Sequence, residues 1–169
     1  MTGWVSPDHD ALMTRPIVNF ANLLLAALVV GTMFGIWLGY NPVDLSPRAY
    51  VEQQQHAIRA LNVTMPVLGA LTVLLTLASA FLARRSRRQL ALLLGAVVCL
   101  VAAGLVTRLL NQPINAVVIT WAADAPPTNW MELRDEWWRW HMVRTGFGIV
   151  GLSLLIAANL MKGARDSWA

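Results

Sequence analysis

Four long apolar runs, separated by short polar stretches, are the feature that most limits what this chain can fold into. They cover residues 17–39, 61–83, 90–110 and 142–161. A helix needs about 20 apolar residues to cross the hydrocarbon core of a bilayer, and each run has about this length. The runs lack the alternation of barrel strands. The sequence therefore predicts an all-α bundle of four transmembrane helices that forms one domain over residues 1–169.

The composition favours the same class and excludes others. Apolar residues make up 57% of the chain and charged residues 13%, too few to coat a water-soluble protein. The net charge of +4 does not indicate a nucleic-acid partner, because the basic residues lie between apolar runs instead of along a soluble face. The single cysteine, Cys99, excludes thiol-disulfide chemistry that needs a cysteine pair.

Arginines between the second and third runs predict the orientation. Four of them lie between residues 84 and 88, and such clusters stay on the cytoplasmic side of a membrane. Arg15, Lys162 and Arg165 agree with this side. We therefore expect an integral protein of a bacterial cytoplasmic membrane, with both termini in the cytoplasm. The apolar run from residue 17 is too long for a cleavable signal peptide, so we expect it to remain as the first helix.

A polar stripe precedes the second run. On a helix, Glu52, Gln55, His56, Arg59 and Asn62 fall within one third of the circumference. An imidazole changes charge near neutral pH, so His56 is a candidate base that Glu52 would orient. The pattern predicts an amphipathic extension before the second span, whose inner end lines a cavity. The alternative is an interfacial helix whose stripe faces water.

A second stripe precedes and enters the fourth run. Its members recur at spacings of three or four residues: Trp130, Arg134, Trp137, His141, Arg144 and Gly148. The charged residues Glu132, Asp135, Glu136 and Arg139 fall on the other side. The pattern predicts a Trp-rich helical extension with an inward aromatic and cationic face. For Trp138 and Trp140 we expect an aromatic belt at the membrane surface.

Arg144 is the residue hardest to explain by structure alone. It lies inside the fourth run, where an ionised side chain costs about 3 kcal/mol or more unless it is paired or hydrated. Arg108, at the end of the third run, is expected to reach the membrane surface. Between the two runs, Pro113 is predicted to end the third helix, and the amides of Asn111 and Asn115 would cap it or bind a ligand carbonyl.

Glycines predict how the helices pack. Gly31, Gly35 and Gly39 are spaced four apart on the first helix, which would let a neighbouring backbone approach closely. Gly148 and Gly151 would do the same in the last helix. The alternative for the first set is a homo-oligomer interface.

A metal site is the less favoured interpretation of the titratable residues. Two histidines and a carboxylate, His56, His141 and Glu52, form a known ligand set for iron or zinc. They come from separate segments without short ligand spacing, so we expect no metal. Haem-attachment, nucleotide-binding and Ser-His-Asp signatures are also missing from the sequence.

The residues before and within the fourth run carry a resemblance to a known family. Asn111, Pro113 and Asn115, then Trp121, and then the second stripe up to Arg144 resemble the anthrone oxygenase family of small four-helix membrane proteins. Length and helix number agree over nearly the whole chain. The resemblance implies oxidation by O2 of an activated methylene in a hydrophobic aromatic polyketide, without an organic cofactor or metal.

With this chemistry in view, His141 or His56 is the expected base, and Arg144 would stabilise the developing anion. The residues expected to bind the substrate are Asn111, Asn115, Trp121, Trp137, Arg134, Glu52 and Arg59. The alternative is a non-catalytic membrane protein whose polar cluster binds a lipid-like or quinone-like ligand, or a partner subunit.

Overall fold

The structure is a computed structural model that describes residues 7–166, with side chains from residue 15 to residue 161. All regular elements in this part are helical, and four helical segments are long and apolar enough to cross a membrane. The predicted four-helix membrane bundle is confirmed. The side chains of Lys162 and Arg165, the side chains before residue 15, and residues 1–6 altogether lie outside the described part of the chain.

Six α-helices follow one another along residues 7–166. They are α1 (Pro7–Gly39), α2 (Pro47–Leu61), α3 (Thr64–Leu82), α4 (Arg87–Val106), α5 (Gln112–Val118) and α6 (Trp130–Asp166). A 3-10 turn at Pro42–Asp44 links α1 to α2, and a π-helical turn at Thr107–Asn111 joins α4 to α5. The four spans are Arg15–Asp44, Thr64–Leu82, Arg87–Val118 and Trp130–Met161.

Small residues form the core of the membrane-spanning part. Helix α6 packs against α4 and α1, and α3 packs against α1 and α4. Small side chains let helices approach closely in lipid, where van der Waals packing replaces the hydrophobic effect. The buried core residues are Ala26, Ala80, Ala83, Leu93, Ala96, Leu100, Leu155 and Ala158.

A second core lies at the end of the bundle that carries α2 and the loop of residues 119–129, here called the polar end. The opposite end, with the turn of residues 83–86 between α3 and α4, is the arginine end. At the polar end α2 packs on α5 and on the start of α6. The amphipathic and Trp-rich extensions predicted before the second and fourth spans are both present as α2 and the first turns of α6.

The third span differs from the prediction, because Pro113 does not end it. The helix widens into the π turn before Pro113 and then continues as α5 to Val118. A proline cannot donate to the carbonyl four residues earlier, and its ring crowds that carbonyl. A π turn changes the hydrogen-bond register from four to five residues, as the bond from Gln112 N to Thr107 O shows, and so the helix accommodates the proline.

The glycine prediction is wrong for the first helix. A Cβ atom at Gly31, Gly35 or Gly39 would meet nothing within 4 Å, so no helix in the described part of the chain packs closely there. It is correct for the last helix. A Cβ atom at Gly148 would lie 2.7 Å from Cε of Met33, and one at Gly151 would lie 3.1 Å from Cγ of Leu100.

Candidate functional site

His141 and Arg144 form the centre of the candidate site, on the inward face of α6. His141 is fully buried, and its Nε2 lies 3.1 Å from the backbone carbonyl of Met33 in α1. Its Nδ1 lies 3.1 Å from Nε and 2.9 Å from Nη2 of Arg144. The close approach of α1 to α6 at Gly148 brings the Met33 carbonyl within reach of the imidazole.

These contacts determine which nitrogen of His141 carries the proton. A guanidinium only donates, so Nδ1 must accept with its lone pair. The carbonyl of Met33 only accepts, so Nε2 must carry the hydrogen and donate it. His141 is therefore a neutral imidazole with its basic nitrogen covered by Arg144.

Arg144 lacks an acidic partner among the described residues. The ion pairs in this part of the chain join Arg48 to Glu52 and Arg134 to Asp135. Besides His141, the guanidinium donates through Nη1 to Oγ1 of Thr107 at 3.3 Å and lies 5.8 Å from the ring centre of Trp137. Five N–H groups are available, and these neutral contacts do not use all of them. Within a membrane span, the site thus carries a positive charge that no carboxylate among residues 15–161 balances.

The π turn between α4 and α5 supplies the residues that face Arg144 and Trp137. The Thr107 hydroxyl donates to the carbonyl of Ala103 at 2.9 Å, which leaves its lone pairs for Arg144. At the other end of the turn, Nδ2 of Asn111 donates to the backbone carbonyl of Trp137 at 3.0 Å. π turns are rare in proteins as a whole, and many of those that occur lie at functional sites.

Two indoles cover His141. The rings of Trp137 and Trp138 lie 5.1 Å and 5.5 Å from the imidazole centre, with interplanar angles of 4° and 15°. Trp138 is therefore part of the candidate site, in addition to the membrane-surface belt in which it was expected. Trp140 points elsewhere, and its Nε1 donates to Glu136 at 3.4 Å.

Three buried polar atoms at the polar end have no hydrogen-bond partner among the described residues. They are the hydroxyl of Tyr50, Oδ1 of Asn111 and Nε1 of Trp137. A buried polar atom without a partner loses the free energy of its bond to water, and such atoms are rare in folded proteins. Two of them belong to residues predicted to bind substrate.

A side-chain network that the sequence did not reveal joins α1, α2 and α5. Tyr40 donates to Oε1 of Gln54 at 3.0 Å, and Nε2 of Gln54 donates to Oδ1 of Asn115 at 3.3 Å. Asn115 in turn donates to Oδ1 of Asn62 at 2.9 Å. The Tyr40 ring also lies edge-on to Trp137, 6.2 Å away. The network connects α2 to α5, directly after the π turn, and brings Tyr40 against Trp137. It uses both polar groups of Asn115.

The charged and histidine members of the polar stripe predicted on α2 do not enter the site, whereas Gln55 and Asn62 face the loop and α5. Glu52 is exposed and pairs with Arg48 at 2.8 Å, so it does not orient His56. His56 and Arg59 are exposed, and Arg59 donates to Gln55 at 3.2 Å. His56 therefore lies on the exposed side of α2, whereas His141 is enclosed between α1 and α6.

The inward face of α2 carries Tyr50, Val51, Gln54 and Ile58 instead. Burial of Tyr50 raises the pKa of its hydroxyl above the ordinary value. The apolar residues at positions 50, 51 and 58, spaced as one helical face, were the signal that identifies this side. The predicted stripe followed the charged residues, which face water.

Two further predicted substrate-binding residues lie at the edge of the site. Arg134 is buried, donates to Asp135 at 2.7 Å and lies 4.9 Å from the ring centre of Trp130. Trp121 is partly buried against the polar-end core, and its carbonyl accepts from Gln55 at 2.8 Å. Neither side chain contacts Arg144 in a hydrogen bond of the described structure.

The residues considered for a metal site are not brought together. Among the described residues, no three side chains of His, Cys, Asp or Glu lie close enough to hold a metal ion. His141 uses both nitrogens in hydrogen bonds, and His56 and Glu52 are exposed on α2.

The comparison with protein families follows this geometry. The family model described as anthrone oxygenase matches residues 55–154, more than half of the chain. The chain belongs to the anthrone oxygenase family. The matched segment contains the π turn, Trp137, His141 and Arg144. The Met33 carbonyl, in α1, and Tyr40, directly after α1, lie outside it. No curated protein and no solved structure matches the chain.

Proposed function

We propose that this member of the anthrone oxygenase family is a membrane-embedded oxygenase that oxidises an activated methylene of an anthrone-like aromatic molecule with O2. The observation that carries the proposal is the Arg144 guanidinium, which lies within a membrane span without a carboxylate partner in the described structure. Such a cation costs free energy in the resting protein. An enolate or peroxide anion formed at the site would offset that cost, so binding energy is directed to the charged intermediate.

The overall reaction converts one methylene and one O2 into one carbonyl and one water. A base first removes a proton from the methylene, and the electron pair of the broken C–H bond remains on the substrate as an enolate. The enolate passes one electron to O2, and the resulting radical and superoxide join in a C–O bond. The peroxide then takes up the proton, and cleavage of its O–O bond with loss of the remaining C–H releases water.

In this proposal His141 is the base, and Arg144 controls whether Nδ1 of His141 can accept a proton. The lone pair of Nδ1 is available only when Arg144 leaves it. A carbonyl-bearing substrate offers Arg144 a better acceptor, since a developing enolate oxygen forms a charge-assisted hydrogen bond. The same movement that pairs the guanidinium with the substrate oxygen uncovers Nδ1 for the proton. The bond from Nε2 to the Met33 carbonyl would hold the imidazole in place during the transfer.

Trp137 and Asn111 are the neighbours proposed to orient the substrate. The unpartnered Nε1 of Trp137 would donate to a substrate carbonyl, and the unpartnered Oδ1 of Asn111 would accept from a substrate hydroxyl. Both atoms are buried, so a ligand that bonds them would remove the cost of leaving them unpaired. Asn115 is proposed to act indirectly, through the network that positions the π turn.

The test is oxygen consumption by the protein in lipid nanodiscs with an anthrone as substrate, with empty nanodiscs as the measure of spontaneous oxidation. We expect one O2 consumed per anthraquinone formed. Arg144→Gln keeps a side chain of similar polarity but removes the charge, and we expect kcat to fall about 100-fold, as with loss of an oxyanion donor. Arg139→Gln is the matched control, because Arg139 is exposed beside Trp140. Full activity of folded Arg144→Gln would refute the assignment.

One observation also favours a second candidate function, the non-catalytic binding of a quinone-like ligand. In the described arrangement Arg144 covers Nδ1 of His141, so His141 cannot accept a proton and instead holds the guanidinium in place. The remaining N–H groups of Arg144 would then donate to a carbonyl oxygen of the ligand. The same experiment separates the two candidates. A protein that binds an anthraquinone saturably but never exceeds the oxidation rate of empty nanodiscs is a binding protein.

We further propose that the protein lies in a bacterial cytoplasmic membrane with the arginine end in the cytoplasm and the site near the outer surface. The arginines of residues 84–88 support this orientation through their preference for the cytoplasmic side. A reporter fused after Ala169 should then be active in the cytoplasm, and a tag inserted near Pro126 should be labelled from outside. The opposite labelling pattern would reverse the orientation.

A further inference from the structure

A groove opens on the outer surface of the bundle beside the candidate site. It encloses about 280 Å³ and is lined by Trp37, Leu38, Asn41, Trp138 and Met142. Trp37 and Leu38 belong to the last turn of α1, and Trp138 and Met142 belong to α6, so the groove lies between two membrane spans near the polar end. Leu38 is 74% exposed and Met142 43% exposed. The groove is therefore open on the exposed side of the two spans.

The inner wall of the groove belongs to the candidate site. The indole of Trp138 lines the groove and also stacks on His141, 5.5 Å away. A molecule in the groove is thus separated from the imidazole by one aromatic ring. The closed pair of His141 and Arg144 is otherwise enclosed by Trp137, the π turn and α1.

The side chains that line the groove indicate what kind of ligand it would bind. Two indoles, Leu38 and Met142 offer an apolar surface on which flat rings stack, and Asn41 places an amide at the polar end. Asn41 already bonds Asp44 and the backbone of Val43, which holds its amide at the mouth of the groove. The volume lies just below the range typical of small-molecule sites, which begins at about 300 Å³.

We propose that this groove binds the flat aromatic substrate as it arrives from the lipid, with its rings between Trp37 and Trp138 and its polar group at Asn41. Apolar aromatic molecules concentrate in the bilayer, so a site that opens sideways meets them at a higher concentration than one that opens to water. Movement of Trp138 would then admit the substrate to His141. The inference rests on the proposed function for the identity of the ligand.

The experiment fills the groove. Leu38→Trp and Met142→Trp each place an indole in the groove. Leu28→Trp is the matched control, since Leu28 is an exposed leucine earlier in α1 that does not line the groove. Binding of a hydroxylated anthraquinone is measured from its visible absorbance in nanodiscs, after subtraction of partition into empty nanodiscs. We expect the two groove variants to weaken binding and raise KM about tenfold, while Leu28→Trp matches the wild type.

The outcomes separate this inference from the proposed function. Unchanged KM and binding in both groove variants, with normal turnover, would show that the groove does not bind the substrate. The oxygenase proposal would be unaffected. Loss of binding in the groove variants of a protein that consumes no O2 would support the groove and overturn the oxygenase. Unchanged ligand binding together with loss of a co-purified phospholipid, or with a dimer becoming a monomer, would assign the groove to lipid or to a second copy and overturn the inference.

Discussion

Two buried polar clusters lie between the membrane-spanning helices, one in each half of the bundle, and they differ in how completely their atoms are bonded. Near the arginine end, Asn22 donates to Ser79 at 3.4 Å and accepts from Thr76 at 3.1 Å. Near the polar end, His141 and Arg144 meet the π turn. The first cluster is neutral. The second contains a cation without a carboxylate partner in the described structure, beside two unpartnered buried atoms.

The difference separates polar groups that are fully explained by the fold from those that we propose bind a ligand. In lipid, a hydrogen bond between helices stabilises the bundle modestly, so the neutral cluster is sufficiently explained by helix association. An uncompensated cation and unpartnered atoms lower stability, and they persist in functional sites because they interact with something else. Substitutions in the two clusters should therefore differ in their effects on turnover and on stability.

The largest effect is expected at His141. His141→Ala removes the proposed base, so kcat should fall at least about 100-fold in the oxygen-consumption assay, with part of the rate restored by external imidazole. His56→Ala is the matched control, because His56 is exposed on α2 and should leave the rate unchanged. A reversed result, with loss of rate only in His56→Ala, would move the base to α2.

A smaller effect is expected at Thr107, which acts through Arg144 as a positioning residue. Thr107→Val keeps the shape but removes the acceptor 3.3 Å from Nη1 of Arg144, so kcat should fall about tenfold, the equivalent of one hydrogen bond to a charged group. KM should change little, and Thr107→Ser should restore kcat. Equal losses in the valine and serine variants would assign Thr107 to packing alone.

The smallest effect on turnover is expected in the neutral cluster. Asn22→Leu removes two interhelical hydrogen bonds, so unfolding in a denaturing detergent titration should become easier by about 1 kcal/mol. The kcat of the folded fraction should equal that of the wild type. A fall in kcat comparable with that of Thr107→Val would erase the contrast between the two clusters.

Local sequence was enough to predict the parts of the site that belong to one helix. The spacing of Trp137, His141 and Arg144 placed them on the inward face of α6, where they lie. The same reasoning followed the wrong residues on α2, because charged side chains gave the clearer stripe while Tyr50 and Gln54 face the core. Periodicity describes the angle between residues on one helix, but it does not tell which side meets a neighbour when both sides are partly polar.

Long-range contacts decided the rest of the site. The bond from Nε2 of His141 joins residues 108 positions apart, and that from Nη1 of Arg144 to Thr107 joins residues 37 apart. Neither partner has a signature in the sequence, because one is a backbone carbonyl and the other a threonine within an apolar run. The π turn that presents Thr107 also replaced the helix end predicted at Pro113.

The sequence by itself determined that the chain crosses a membrane four times and that a cation lies within the last span, because both follow from the order of apolar and charged residues along the chain. Only the tertiary structure decided that Nε2 of His141 donates to the Met33 carbonyl, that Arg144 donates to Thr107 and that His56 faces outward. The physical reason is that a protonation state and a hydrogen-bond partner depend on atoms that distant helices bring within about 3 Å.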